Sequence, residues 1–109
     1  MTVIYHLTTP GAWAAAQAAG EYEAPSLADE GFIHCSADEA QTLRVAGRLY
    51  SGVAGLLALD VDLVRLKAEV KREPSRSGEI YPHVYGKINL DAVVRVRELT
   101  LDAEGRHRL

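Results

Sequence analysis

The chain has 109 residues, 48% apolar and 25% charged, with a formal net charge of -3, which predicts one soluble globular domain over residues 1–109. The mildly acidic balance excludes a broad electrostatic attraction for nucleic acid, although basic positions at Arg65, Lys67, Lys71, Arg72 and Arg76 leave a local contact possible. The lone Cys35 excludes an internal disulfide or a cysteine-rich zinc site, and no apolar run approaches the roughly 20 residues that span a bilayer.

The first residues, Met1 to His6, lack the basic segment and apolar core of a signal peptide. The expectation is a cytoplasmic protein with no membrane partner. Val3 to Thr8 is rich in β-branched and aromatic residues and predicts the first strand. Thr9 and Pro10 then form a helix start, Ala12 to Ala19 a strongly helical segment, and Gly20 its stop. Glu21 to Glu30 reads as a loop with one helical turn at Ser26 to Asp29.

Phe32 to Cys35 predicts the second strand. Ser36 with Glu39 forms a capping box that opens a helix through about Tyr50, with Leu43, Gly47 and Tyr50 on its buried stripe beside Ala40 and Ala46. Leu56 to Val61 predicts a buried central strand, and Ala68 to Glu73 a more exposed one. Tyr81 to Gly86 reads as a loop of rigid, hydrogen-bonding side chains. Ile88 to Ala92 reads as a short turn or helix, Val93 to Leu101 as a half-solvated strand, and Glu104-Gly105 as a turn into a last edge strand. Helices fall early and strands late, which predicts an α+β fold with a mixed or mainly antiparallel sheet beside two helices. A doubly wound parallel sheet fits the order less well.

Three histidines sit in apolar or aromatic settings that do not call for them: His6, His34 and His83. Strand alternation groups His34 with Phe32 and Ser36, and turns Cys35 towards the core, away from a Cys-His pair. A helix start follows both His6 and His34, and free amides at such a start favour an anion such as phosphate. His83 lies between Tyr81 and Tyr85, which suits stacking on a ring or base. Glu30, Glu73 and Glu79 are the nearby acids able to act as a general base or to hold a ribose hydroxyl. His107, in a polar tail, reads as solvated. The close histidine pairs of a metal site are absent, so no metal is expected.

Ile4-Tyr5-His6-Leu7, Trp13 with Gly20-x-Tyr22, Ser26-Leu27-x-x-Glu30-Gly31-Phe32-Ile33-His34-Cys35-Ser36 and Pro82-His83-Val84-Tyr85-Gly86 together resemble a bacterial family of small proteins, the domain of unknown function 952 (DUF 952). That family looks like a compact relative of the ADP-ribosyltransferase superfamily. The resemblance implies a split, curved β-sheet with a cleft for NAD, His6 and His34 orienting ribose and nicotinamide, and Ser36 close by. It is similar in its paired histidines to the RNA 2'-phosphotransferase branch. The late-strand glutamate of many transferases has Glu73 and Glu79 as candidates here, and Arg44, Arg48 and Arg72 are available cations. The expected function is binding of NAD or an ADP-ribose-type nucleotide, with His6, His34, Glu73 and Glu79 in catalytic roles and Ser36, Tyr81, His83 and Tyr85 contacting ligand. The alternatives are a non-catalytic module for a nucleotide or RNA end, an interaction protein with packed histidines, and a metal-dependent hydrolase.

Overall fold

In the computed structural model, which describes residues 1–109, the chain runs β1 (Val3–Thr8), α1 (Pro10–Ala19), β2 (Glu21–Tyr22), α2 (Pro25–Glu30), β3 (Ile33–His34), α3 (Glu39–Leu49), β4 (Leu57–Asp62), β5 (Glu69–Pro74), β6 (Ile80–Tyr85), β7 (Ile88–Asn89), β8 (Val93–Glu98), β9 (Thr100–Leu101) and β10 (His107–Arg108), with a 3-10 turn at Leu90–Ala92. The start of α1 follows its sequence signals. The Thr9 hydroxyl accepts from the Ala12 amide at 3.1 Å, and Gly20 ends the helix in the left-handed conformation that only glycine adopts freely.

Two three-stranded sheets dominate, in the orders β1-β4-β8 and β3-β6-β5, and every strand pairing is antiparallel. This excludes the doubly wound parallel alternative and narrows the expected mixed sheet to an antiparallel one. Apolar Leu57 to Val61 occupies the centre of the first sheet, as its near-continuous hydrophobic run predicts. The two sheets meet at one residue pair, Tyr5 and Ser36, which exchange backbone hydrogen bonds of 2.8 and 2.7 Å. Beyond that pair β1 and β3 diverge.

The main core gathers Ile4, Ile33, Leu59, Val61, Val84 and Ile88 against Ala16 and Trp13 of α1. A second cluster, Ala46, Leu56, Ala58 and Leu99, lies under α3. Each large side chain sealed this way contributes about 1.5–3 kcal/mol over leaving it in water. No helix is long and apolar enough to cross a membrane.

Five readings of the sequence are corrected. Tyr81 to Tyr85 is the middle strand of the second sheet and not a loop. Proline rarely sits in a central strand because it lacks a ladder donor. Here the Pro82 carbonyl accepts from the Cys35 amide at 3.1 Å, and its missing N–H falls where the chain leaves β3 to join β1. Ser36 does not cap α3, because its backbone is taken by the seam with Tyr5. Asp38 caps instead, accepting from the Gln41 amide at 2.7 Å.

The loop after β2 contains a complete short helix, α2, which makes three helices where two were expected. Along α3 the buried positions are Gln41, Thr42 and Ala46, while Ala40 and Gly47 are exposed. A polar contact decides that face: Gln41 Nε2 donates to the Ile80 carbonyl and to Glu79, both at 2.9 Å. His107 is buried, not solvated, and its Nε2 donates to the Tyr50 carbonyl at 2.7 Å.

Candidate functional site

The divergence of β1 and β3 opens a cleft of about 800 Å³. Its walls are Tyr5 to Thr8 on one side, Phe32 and His34 to Ser36 on the other, the end of α3 at Arg48 to Tyr50, and Pro74 to Arg76 with Tyr81 and His83. All three histidines singled out in the sequence line it, in three different environments.

His6 is buried where the strands part. Its Nδ1 lies 2.6 Å from the His34 carbonyl and its Nε2 lies 2.7 Å from the Tyr22 hydroxyl, itself 2.9 Å from Thr8 Oγ1. Burial pushes the imidazole down to about 4, so it is neutral near pH 7. A carbonyl only accepts, so Nδ1 carries the proton, while the Tyr22 hydroxyl beside Nε2 donates to Thr8 Oγ1. Sequence alternation places His6 with Ile4 and Thr8, and all three are buried together. The expected meeting of His6 and His34 is therefore ring to backbone, not ring to ring.

His34 and His83 do meet as side chains. They are cross-strand partners between β3 and β6, with ring centroids 5.3 Å apart. Phe32 stacks on His83 with centroids 4.0 Å apart and meets His34 edge-on. The His34 side chain is 54% exposed and its Nε2 lies 2.8 Å from Glu30, four residues earlier across the turn at Gly31. His83 is buried and donates from Nδ1 to Glu73 Oε1 at 2.8 Å. The Tyr85 hydroxyl donates to the same oxygen. The Tyr85 and His83 hydrogen bonds hold the Glu73 carboxyl below the usual carboxylate range, and the Tyr85 phenol rises in turn.

The other expected residues divide. Ser36 and Tyr81 are buried and line the cleft. Tyr85 and Glu73 lie behind His83, outside the lining. Glu79 also lies outside it: Arg44 at 2.6 Å and Gln41 at 2.9 Å hold it, and the Arg44 hydrogen bond lowers its carboxyl. Glu30 is the acid on the cleft wall. Cys35 is buried and its thiol is pushed up to about 12, so it does not act as a nucleophile near neutral pH. No group of three or more His, Cys, Asp or Glu side chains is spaced to hold a metal ion.

The anion-binding helix start expected after His34 is filled from within. The Asp38 carboxylate takes the Gln41 amide, Gln41 Oε1 takes the Ala37 amide at 2.7 Å, and Glu39 adds a second acid to the first turn. Positive charge comes from elsewhere: Arg48 and Arg76 line the cleft, and neither is paired with an acid, unlike Arg44. Sequence reasoning had Arg48 as one of several cations and Arg76 only within a basic run. Tyr22 entered only through the Gly20-x-Tyr22 motif, and only the fold brings its hydroxyl to His6.

The architecture and site define an α+β protein of split antiparallel sheets with a histidine-lined cleft at the split. The chain belongs to the family described as "Protein of unknown function (DUF952)", whose model matches residues 7–96. The crystal structure of protein CC0527 from Caulobacter crescentus is similar over 99% of this chain and 95% of that one, at 36% identity and a TM-score of 0.87. The solution NMR structure of the same protein gives 35% identity over 100% and 94%, with a TM-score of 0.85. No curated protein matches.

Proposed function

We propose that the cleft binds a nucleotide of the NAD or ADP-ribose type, within a distant relation to the ADP-ribosyltransferase superfamily. The observation that carries this reading is the combination on one lining of aromatic faces at Phe32, Tyr5 and Tyr50, hydroxyls at Thr8, Ser26 and Ser36, and two unpaired arginines, Arg48 and Arg76. Such a ligand has a flat base to stack, sugar hydroxyls to hydrogen-bond and phosphates to attract guanidinium. About 800 Å³ is within the range of sites for molecules of this size. His34 presents its ring to the ribose side, and His6 holds the wall by fixing the His34 carbonyl. A cytoplasmic setting goes with this reading.

Thermal denaturation with NAD, ADP-ribose and inorganic phosphate tests it. A ligand that binds the folded state adds about 2.7 kcal/mol at a hundred times its Kd. Either nucleotide at millimolar concentration is expected to raise Tm, and phosphate alone to do so less. Arg48→Ala with Arg76→Ala is expected to weaken the nucleotide about tenfold or more. No shift with either nucleotide sinks the reading.

A second reading, a binding module without turnover, is favoured by one observation: Glu73 and Glu79 both lie outside the cleft lining. It predicts the same Tm shift with no release of nicotinamide.

A further inference from the structure

Glu73 is not part of the cleft lining, yet it is not idle. Its Oε1 receives Nδ1 of His83 at 2.8 Å and the hydroxyl of Tyr85. An ionised carboxylate only accepts, so His83 carries its proton on Nδ1 and leaves Nε2 bare. Nε2 makes no hydrogen bond. The sealed side-chain atoms without a partner are Tyr81 Oη, Arg97 Nε and His107 Nδ1. Nε2 of His83 is not among them, so it is not fully sealed, and it belongs to a residue that lines the cleft. Phe32 stacked on the ring fixes its plane.

We infer that His83 is the catalytic base of this cleft and that Glu73 is its positioning residue. The inference rests on the nucleotide reading and adds turnover to it. A hydroxyl or water oxygen bonds to the anomeric carbon of the ribose that carries nicotinamide. Its proton passes to Nε2 of His83, and the carbon–nitrogen bond breaks with its electron pair leaving on nicotinamide. His83 then returns the proton to solvent through the open mouth of the cleft. The imidazolium formed in the step is stabilised by Glu73, in the arrangement by which a carboxylate orients a histidine and favours its charged form.

The experiment is NAD binding by calorimetry together with nicotinamide release as a function of pH, for the full chain and three variants. His83→Gln is expected to lower release at least a hundredfold, as for loss of a general base, with affinity for NAD held within about threefold. Glu73→Gln is expected to lower release about tenfold with affinity for NAD held within about threefold, as for a residue that only orients the base. Glu69→Gln, an exposed acid on the same strand, is expected to change neither. Binding of NAD with no release above the rate in buffer overturns the base and leaves the nucleotide reading standing. Absence of binding by both NAD and ADP-ribose overturns both. An unchanged rate of release in Glu73→Gln, or a loss that appears in affinity and not in release, overturns the positioning role. Should His83→Gln fail to fold, nitrogen-15 NMR of the wild type decides: a His83 tautomer protonated on Nδ1 supports the assignment, and one protonated on Nε2 overturns it.

Discussion

His6 is buried, with one ring nitrogen facing the His34 carbonyl and the other the Tyr22 hydroxyl. Burial lowers its folded-state pKa to about 4 from an ordinary value of 6.5. Between those values the unfolded chain binds a proton that the folded chain refuses, so stability is full above about pH 6.5 and falls as pH drops towards 4. At about 1.36 kcal/mol per unit, the whole effect is about 3 kcal/mol, of which about 2 kcal/mol is lost by pH 5. Urea denaturation at pH 8 and pH 5 checks this, and His6→Gln is expected to flatten the difference. A wild-type stability that does not fall between the two would show that His6 stays accessible to protons. His6 and His34 were legible in the sequence because a polar ring in an apolar strand needs a partner, and His83 because it stands between two tyrosines. The pairings of His6 with Tyr22 and of His83 with Glu73 were not, since only tertiary structure brings them together.

Elements were legible where local chemistry alone decides them. Thr9, Pro10 and Gly20 mark α1 at both ends, and the structure follows them. They were misread where a distant contact competes. Ser36 has the spacing of a capping box, but the seam with Tyr5 takes its backbone and moves the cap to Asp38. The run from Tyr81 to Tyr85 looked like a loop because it holds Pro82 and ends at Gly86, yet Pro82 joins the ladder through its carbonyl, which accepts from the Cys35 amide. The cap assignment makes a test: Asp38→Ala is expected to cost about 1 kcal/mol, while Ser36→Ala, which leaves the seam intact, is expected to cost under about 0.5 kcal/mol. Chemical denaturation of the two variants checks the order, and a larger loss in Ser36→Ala would restore Ser36 as the cap.

At the scale of the molecule, the cleft exists because two antiparallel sheets share one hydrogen-bonded pair and part on its far side. The α+β class was readable from helices early and strands late, whereas the single-pair seam was not, because no local pattern encodes where two strands stop pairing. The seam is backbone only, so its strength does not depend on the serine hydroxyl. Ser36→Pro removes the amide that donates to the Tyr5 carbonyl at 2.7 Å, leaving a buried acceptor unpaired at a cost of about 1–3 kcal/mol before any strain from the ring. The expected loss is therefore about 3 kcal/mol, several times that of Ser36→Ala. Beyond stability, losing the seam releases β3 from β1 and carries His34 away from His6, so Ser36→Pro is also expected to abolish the Tm shift with nucleotide under conditions where it remains folded. Urea midpoints for both variants, followed by titration with ADP-ribose, separate the two effects. A Ser36→Pro protein as stable as Ser36→Ala would mean that the sheets are held together elsewhere, through the core that Ile4 and Ile33 share.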